Sequence, residues 1–274
     1  MVLATSKHKL PIITWEKLPD DFILPDDPVE NIQQPPLAAA VSDALIAANL
    51  IKPDMLIASN FGIVANISQK AVVKAPDWLY IPHVSPVAAG VIRRSYTPNL
   101  EGSPVAVVME FLSDTEYGEY SIRPTPPYGK LYFYEQVLQV PTYVIFDPHT
   151  VTLEVRHLEN GRYALQEGTS GRFWIPELEL FLGIWQGTRP GSDITNWLRW
   201  WDEAGNLLLW SSEQAELERQ RAEAERQRAE AERQRAEAER QRADNATEQL
   251  EVERQRAELF AAKLRELGIN PEAP

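Results

Sequence analysis

Residues 104–113, PVAVVMEFLS, form an apolar run interrupted by one glutamate, Glu110. A run of this length, bounded by Pro104 and Ser113, predicts a strand buried on both faces. Burying an unpaired carboxylate costs on the order of several kcal/mol, so Glu110 is expected to be protonated, paired or bound to a cation. The cation alternative gains weight from an earlier Pro76-Asp77 step and from Lys130 on the following segment. Two acids and a lysine around one strand suggest metal-assisted phosphodiester chemistry.

Mg2+, or Mn2+ in its place, is a hard cation that takes one or two protein carboxylates plus phosphate oxygens and waters. Asp77 and Glu110, presented from adjacent strands, would supply those carboxylates, with the main-chain carbonyl of Phe111 as a third ligand. Lys130 would orient the attacking water or neutralise charge developing on the phosphoryl oxygens. Glu30, just before the first expected helix, is a candidate outer acid.

The elements that must carry these groups are legible in outline. In LAAAVSDALIAANLI, apolar residues recur at three- and four-residue spacing from Leu37 to Ile51, which predicts an amphipathic helix ended by Lys52-Pro53. MLIASNFGIVANI and KAVVKAPDWLYIP predict short strands, with Asp77 displaced from the regular pleat where Pro76 interrupts the second. KLYFYEQVLQV predicts a short helix with Lys130 and Tyr134 on one face. TYVIFDP predicts a second buried strand, and Glu159-Asn160-Gly161 the turn of a hairpin. Asp147-Pro148 begins a turn.

Two polar segments border this frame. His83–Gly102 predicts a surface loop in which Arg93 and Arg94 are either a solvated edge or phosphate contacts. The long loop after the Glu110 strand, SDTEYGEYSIRPTPPYGK, is of a length usually kept for function. Six of the 8 tryptophans fall between Phe173 and Ser212, a density that fits core or interface packing and also base stacking.

The tail repeats every seven residues, with ERQRAEA beginning at Glu218, Glu225 and Glu232. Its spaced Glu and Arg residues favour one continuous helix over Glu213–Leu267. Ala222, Ala229, Ala236, Ala243, Leu250, Ala257 and Leu264 share a heptad position. The second position of that seam is charged, Ala246 apart, until Phe260 and Leu267, so a solvated single helix and a homo-oligomeric coiled coil both remain open.

Composition narrows the alternatives. With 274 residues and 44 % apolar content the chain can bury a sizeable core, and its lack of cysteine excludes disulfides and thiolate chemistry. Absent cysteine, an export signal or a membrane span, a cytoplasmic location is expected. No histidine pair has metal-ligand spacing, and neither a nucleophile elbow nor a nucleotide-binding glycine motif is present. The net charge of −13 is shared between body and tail: 24 acids face 15 bases before Glu213, and 16 face 12 from there on. An acidic body is a poor general attractor for nucleic acid.

The order PDW, VVMEFLS and GKLYFYEQVLQVPTYVIFDP resembles the bacterial "putative restriction endonuclease" family, a branch of the restriction endonuclease-like, PD-(D/E)XK nuclease superfamily. In it the lysine has moved from the strand to the following helix. The resemblance places metal-binding acids at Asp77 and Glu110 and the migrated lysine at Lys130, with structural roles for Tyr134 and Asp147. Position 112, where the superfamily's lysine usually stands, is Leu112, and the acid common four residues before the helix lysine is replaced by Pro126. No N-terminal glutamate motif is evident.

The implied fold is α/β (α+β), with a restriction endonuclease-like mixed central sheet flanked by helices and a long charged C-terminal α-helix. The expected organisation is an irregular arm over 1–36, the nuclease-like domain over 37–172, a Trp-rich extension over 173–212 and the heptad helix over 213–274. Two functions follow: a divalent-metal-dependent endonuclease acting on DNA, or a nuclease fold that no longer cuts and serves as a binding or oligomerisation module through its C-terminal helix.

Overall fold

The computed structural model describes residues 11–19, 21–24, 32–113 and 118–268. The chain divides into two units, Met1–Ser212 and Glu213–Pro274. In chain order the first contains β1 (Ile13–Thr14), α1 (Gln34–Ala47), β2 (Leu56–Ala58), β3 (Ile63–Ile67), β4 (Lys70–Lys74), β5 (Trp78–Ile81) and β6 (Val107–Phe111). A 3-10 turn at Gly118–Tyr120 follows. α2 opens as an α-helix at Lys130–Tyr132 and continues as a π-helix over Phe133–Leu138. Then come β7 (Thr142–Asp147), β8 (Thr152–Glu159), β9 (Arg162–Leu165), β10 (Arg172–Ile175), β11 (Leu180–Gln186) and β12 (Asn196–Trp201). The second unit is dominated by α3 (Ser211–Glu266).

The central sheet has six strands in the order β2-β5-β6-β7-β8-β9. Only β6 and β7 among them pair in parallel, so the sheet is mixed and the fold is the restriction endonuclease-like α+β architecture. The crossover between β6 and β7 carries the 3-10 turn and α2. β8 and β9 form the hairpin expected at Glu159-Asn160-Gly161; Asn160 and Gly161 both have positive φ, 51° and 78°, as a two-residue type I′ turn requires.

Both faces of this sheet are covered, which explains the continuous apolar runs of β5, β6 and β7. On one face Trp78, Tyr80, Val107, Met109, Phe111, Val144 and Phe146 meet α1 and the tryptophan-bearing strands β10, β11 and β12. On the other, Leu79, Ile81, Val108, Tyr143 and Ile145 meet α2 and the small sheet β1-β3-β4. Alternation along β6 therefore assigns Glu110 to the α2 side.

α1 begins at Gln34, earlier than periodicity suggested, because Pro35 and Pro36 occupy its first turn, where no N–H is needed and φ is already helical. It buries Leu37, Ala38, Val41, Ala44 and Leu45 and stops at Ala47 as Asn49 turns left-handed (φ 56°). The tryptophans beyond Phe173 serve packing. Trp197, Trp200 and Trp210 are buried, and the indoles of Trp200 and Trp210 donate to the carbonyls of Val41 and Ala40 on α1.

In the second unit, α3 runs for 56 residues with none buried. Spaced Glu–Arg pairs decorate it: Arg226 to Glu223 at 3.1 Å and Arg254 to Glu258 at 3.3 Å. Exposed pairs of this kind add about 0.2–0.5 kcal/mol each. Among the described residues no helix is long and apolar enough to cross a membrane.

Candidate active site

The register of β5 against β6 pairs Trp78 with Met109 and Leu79 with Val108. One step beyond, where Pro76 has broken the strand, Asp77 lies beside Glu110 and Phe111. Its carboxylate is freed from the pleat and accepts the Phe111 N–H at 2.6 Å. Asp77 is 8 % exposed and Glu110 fully buried.

α2 brings two groups onto Glu110. Tyr134 donates its hydroxyl to Glu110 Oε1 at 2.7 Å, and Lys130 Nζ lies 3.2 Å from Oε2. Four residues apart, the two side chains reach the same carboxylate from one helix face. The π-helical widening from Phe133 occurs at this point, a distortion frequent at functional sites.

The same ammonium lies 3.0 Å from Glu119 Oε1. Glu119, 4 % exposed, comes from the 3-10 turn in the polar loop. The turn is pinned by Tyr143, whose hydroxyl donates to the Glu119 main-chain carbonyl at 2.9 Å. Glu119 Oε2 is buried and has no hydrogen-bond partner among the described residues. Nothing in the sequence singled it out, because it is one of three acids in an aperiodic loop with Asp114 and Glu116. Gln34 was missed as well: its amide donates to the Phe111 carbonyl at 2.8 Å, so the atom expected as a third metal ligand already holds a protein partner.

The electrostatics follow from this crowding. Burial, and then the adjacent Glu110, push the Asp77 carboxyl up to about 8 against the opposing Phe111 N–H and Lys130. Burial also raises Glu110, although Lys130 and the Tyr134 hydroxyl counter it. For Lys130, burial acts to lower the pKa, but Glu110 and Glu119 outweigh it and hold the side chain as an ammonium. Three carboxylates against one ammonium would carry two uncompensated negative charges if all were ionised. A divalent cation would balance that excess.

The donor set therefore fits a hard divalent ion held by Asp77 and Glu110, with water and phosphate oxygens completing the shell. Among the described residues no group of three or more carboxylate or imidazole side chains is arranged to hold a metal by itself. The Lys130 side chain is a quarter exposed and brings the site to solvent.

Other candidates lie elsewhere or are otherwise engaged. Arg93 bonds to Glu101 at 2.7 Å and to the Ser85 carbonyl at 2.6 Å, and Arg94 donates to the Phe22 carbonyl at 3.0 Å. Asp147 accepts the His149 and Thr150 N–H groups and the Thr150 hydroxyl, which closes the turn after β7. Glu30 lies outside the described residues.

The sequence model of the Uma2 family, described as "Putative restriction endonuclease", matches residues 28–190, more than half of the chain. The matched span takes in Asp77, Glu110, Glu119, Lys130 and Tyr134. No curated protein matches the chain.

Proposed function

The chain belongs to the Uma2 family, and on that premise we propose that it is a divalent-metal-dependent endonuclease hydrolysing DNA phosphodiester bonds at Asp77, Glu110 and Lys130. The observation that carries this reading is the convergence of two buried acids and a helix-borne ammonium at the broken end of β5, with Lys130 within 3.2 Å of Glu110.

Asp77 and Glu110 would hold Mg2+ or Mn2+, which when bound would supply the positive charge to polarise the scissile phosphate and lower the pKa of a water. Tyr134 fixes the rotation of the Glu110 carboxylate by occupying Oε1. Glu119 holds the Lys130 ammonium in place, where it neutralises charge developing on the phosphoryl oxygens. A lysine on α2 thus does the work that position 112 cannot, since Leu112 is packed into the core.

The test is nicking of supercoiled plasmid by purified protein with and without Mg2+ or Mn2+, beside Asp77→Ala, Glu110→Ala and Lys130→Ala. Metal-dependent cutting by the wild type, lost in all three variants, is expected. Equal cutting by all four proteins would assign the activity to a contaminant or another site.

The acidity of the first unit, 24 acids to 15 bases, favours a second reading in which the site no longer cuts and the protein acts as an assembly module. Melting with and without Mn2+ separates the two. Ligand at a hundred times its dissociation constant adds about 2.7 kcal/mol, so a shift abolished by Glu110→Ala supports the nuclease and no shift supports the module.

A further inference from the structure

The long helix α3 presents a self-complementary seam that lies on a different face from its most regular alanine stripe. Ala222, Ala229 and Ala236 cannot anchor a coiled coil, because the matching core positions are Glu225, Glu232 and Glu239, and charged side chains there would be buried unpaired. A second set recurs with the same period: Leu217, Ala224, Ala231, Ala238, Asn245, Val252 and Leu259. Placing these at position a puts Gln220, Gln227, Gln234 and Gln241 at d, so the seam through the ERQRAEA repeat is uncharged; beyond it d holds Glu248, the one charged residue at a or d between Leu217 and Ala262, and then Gln255. Leu217, Val252 and Leu259 are all exposed on the isolated helix. The exposed Leu250, Phe260 and Leu267 and the half-buried Leu264 fall at f and b, on the far side, and take no part.

The flanking charges then sort by sign. Position g holds Glu216, Glu223, Glu230, Glu237, Asp244, Glu251 and Glu258, and position e holds Arg221, Arg228, Arg235, Arg242, Gln249, Arg256 and Lys263. In a parallel, in-register pair, each g residue faces the e residue five positions later on the other helix, so Glu223 meets Arg228 and Glu230 meets Arg235. Only the Asp244–Gln249 step lacks opposite charges. An antiparallel pair would set Glu against Glu and Arg against Arg. Asn245 at a is the kind of buried polar residue that fixes register and a two-stranded state, and alanine at a allows the helices to approach closely.

We infer that this face of α3 binds a second copy of the same chain as a parallel, in-register, two-stranded coiled coil. A second copy is the fitting occupant because one sequence supplies both signs of every flanking pair but Asp244–Gln249 at the required offset. The inference does not depend on the nuclease reading.

The chain has no cysteine, so single-cysteine variants report geometry without background. Full-length Ala231→Cys, at a, and Ala229→Cys, at f, are oxidised in a glutathione buffer, and the mass of the wild type is measured by light scattering. Twice the chain mass is expected, with the Ala231→Cys disulfide forming at least tenfold faster than that of Ala229→Cys. A monomer mass overturns the inference, as do equal rates at the two positions or faster linkage through Ala229→Cys.

Discussion

Tyr134 donates its hydroxyl to Glu110 across 2.7 Å, and both side chains are completely enclosed. The bond joins the first turns of α2 to the central strand β6 and supplies one of the two donors that allow an acid to lie in so apolar a strand. Tyr134→Phe removes it without changing the ring packing against Tyr143, whose centroid is 5.2 Å away. A buried acceptor that loses its donor costs about 1–3 kcal/mol. The variant is therefore expected to melt several degrees below wild type in a thermal scan. An unchanged melting temperature would mean that the hydroxyl contributes nothing to holding Glu110.

Glu119 gives the site its second acid for Lys130. Glu119→Gln keeps the shape and removes the charge, leaving Glu110 alone to position the ammonium. Plasmid nicking is expected to fall about tenfold or more, the scale for weakening one electrostatic group in an active site, while the folded baseline in circular dichroism is retained. Undiminished nicking would show that Glu110 suffices to hold Lys130.

Gly129 adjoins the lysine. A Cβ on it would run into the carbonyl of Ser121, and Tyr132 N–H bonds to that same carbonyl at 3.2 Å. Gly129→Ala must push the polar loop away from the start of α2, separating Glu119 from Lys130. Nicking should fall as far as in Glu119→Gln, accompanied by a lower melting temperature, and wild-type values for both would refute the close approach. Here conformation is not the issue, since Gly129 has φ −68°; space is.

These residues mark where sequence sufficed. That Asp77, Glu110 and Lys130 come together was legible because each carries a local signal: a proline breaking a strand, a charge in an apolar run, a polar residue opening a helix. The strands and the hairpin were legible for similar reasons. Glu119 and Gln34 carry none, since one sits in an aperiodic loop and the other in a proline-rich stretch that read as an arm. Both act across the fold, Gln34 on a carbonyl 77 positions away, and only the sheet register brings them to β6. The π-helical widening of α2 was likewise invisible, because the apolar spacing of KLYFYEQVLQV suits an ordinary helix.

Glu135 offers a test of how α2 is fastened to the hairpin. Its Oε1 accepts the Tyr163 N–H at 2.7 Å, and its Oε2 accepts Gln136 at 2.8 Å and Arg162 at 3.0 Å. Burial pushes the carboxyl upward, but these donors outweigh it, so its folded pKa lies below the ordinary glutamate value. A lowered folded value means that the carboxylate adds stability above the unfolded value, about 4.3. That contribution is lost as the pH falls through 4.3 and on through the folded pKa. Arg162 is mostly exposed and its pairing is screened, so most of the effect belongs to the Tyr163 N–H. In urea titrations between pH 3 and 7, Glu135→Gln should be less stable than wild type at neutral pH. The gap should narrow as the solution becomes more acid than about pH 4.3, because protonated Glu135 and glutamine are then alike in charge. A gap that stays constant over the whole range would show that the ionised carboxylate is not what secures α2 to β9.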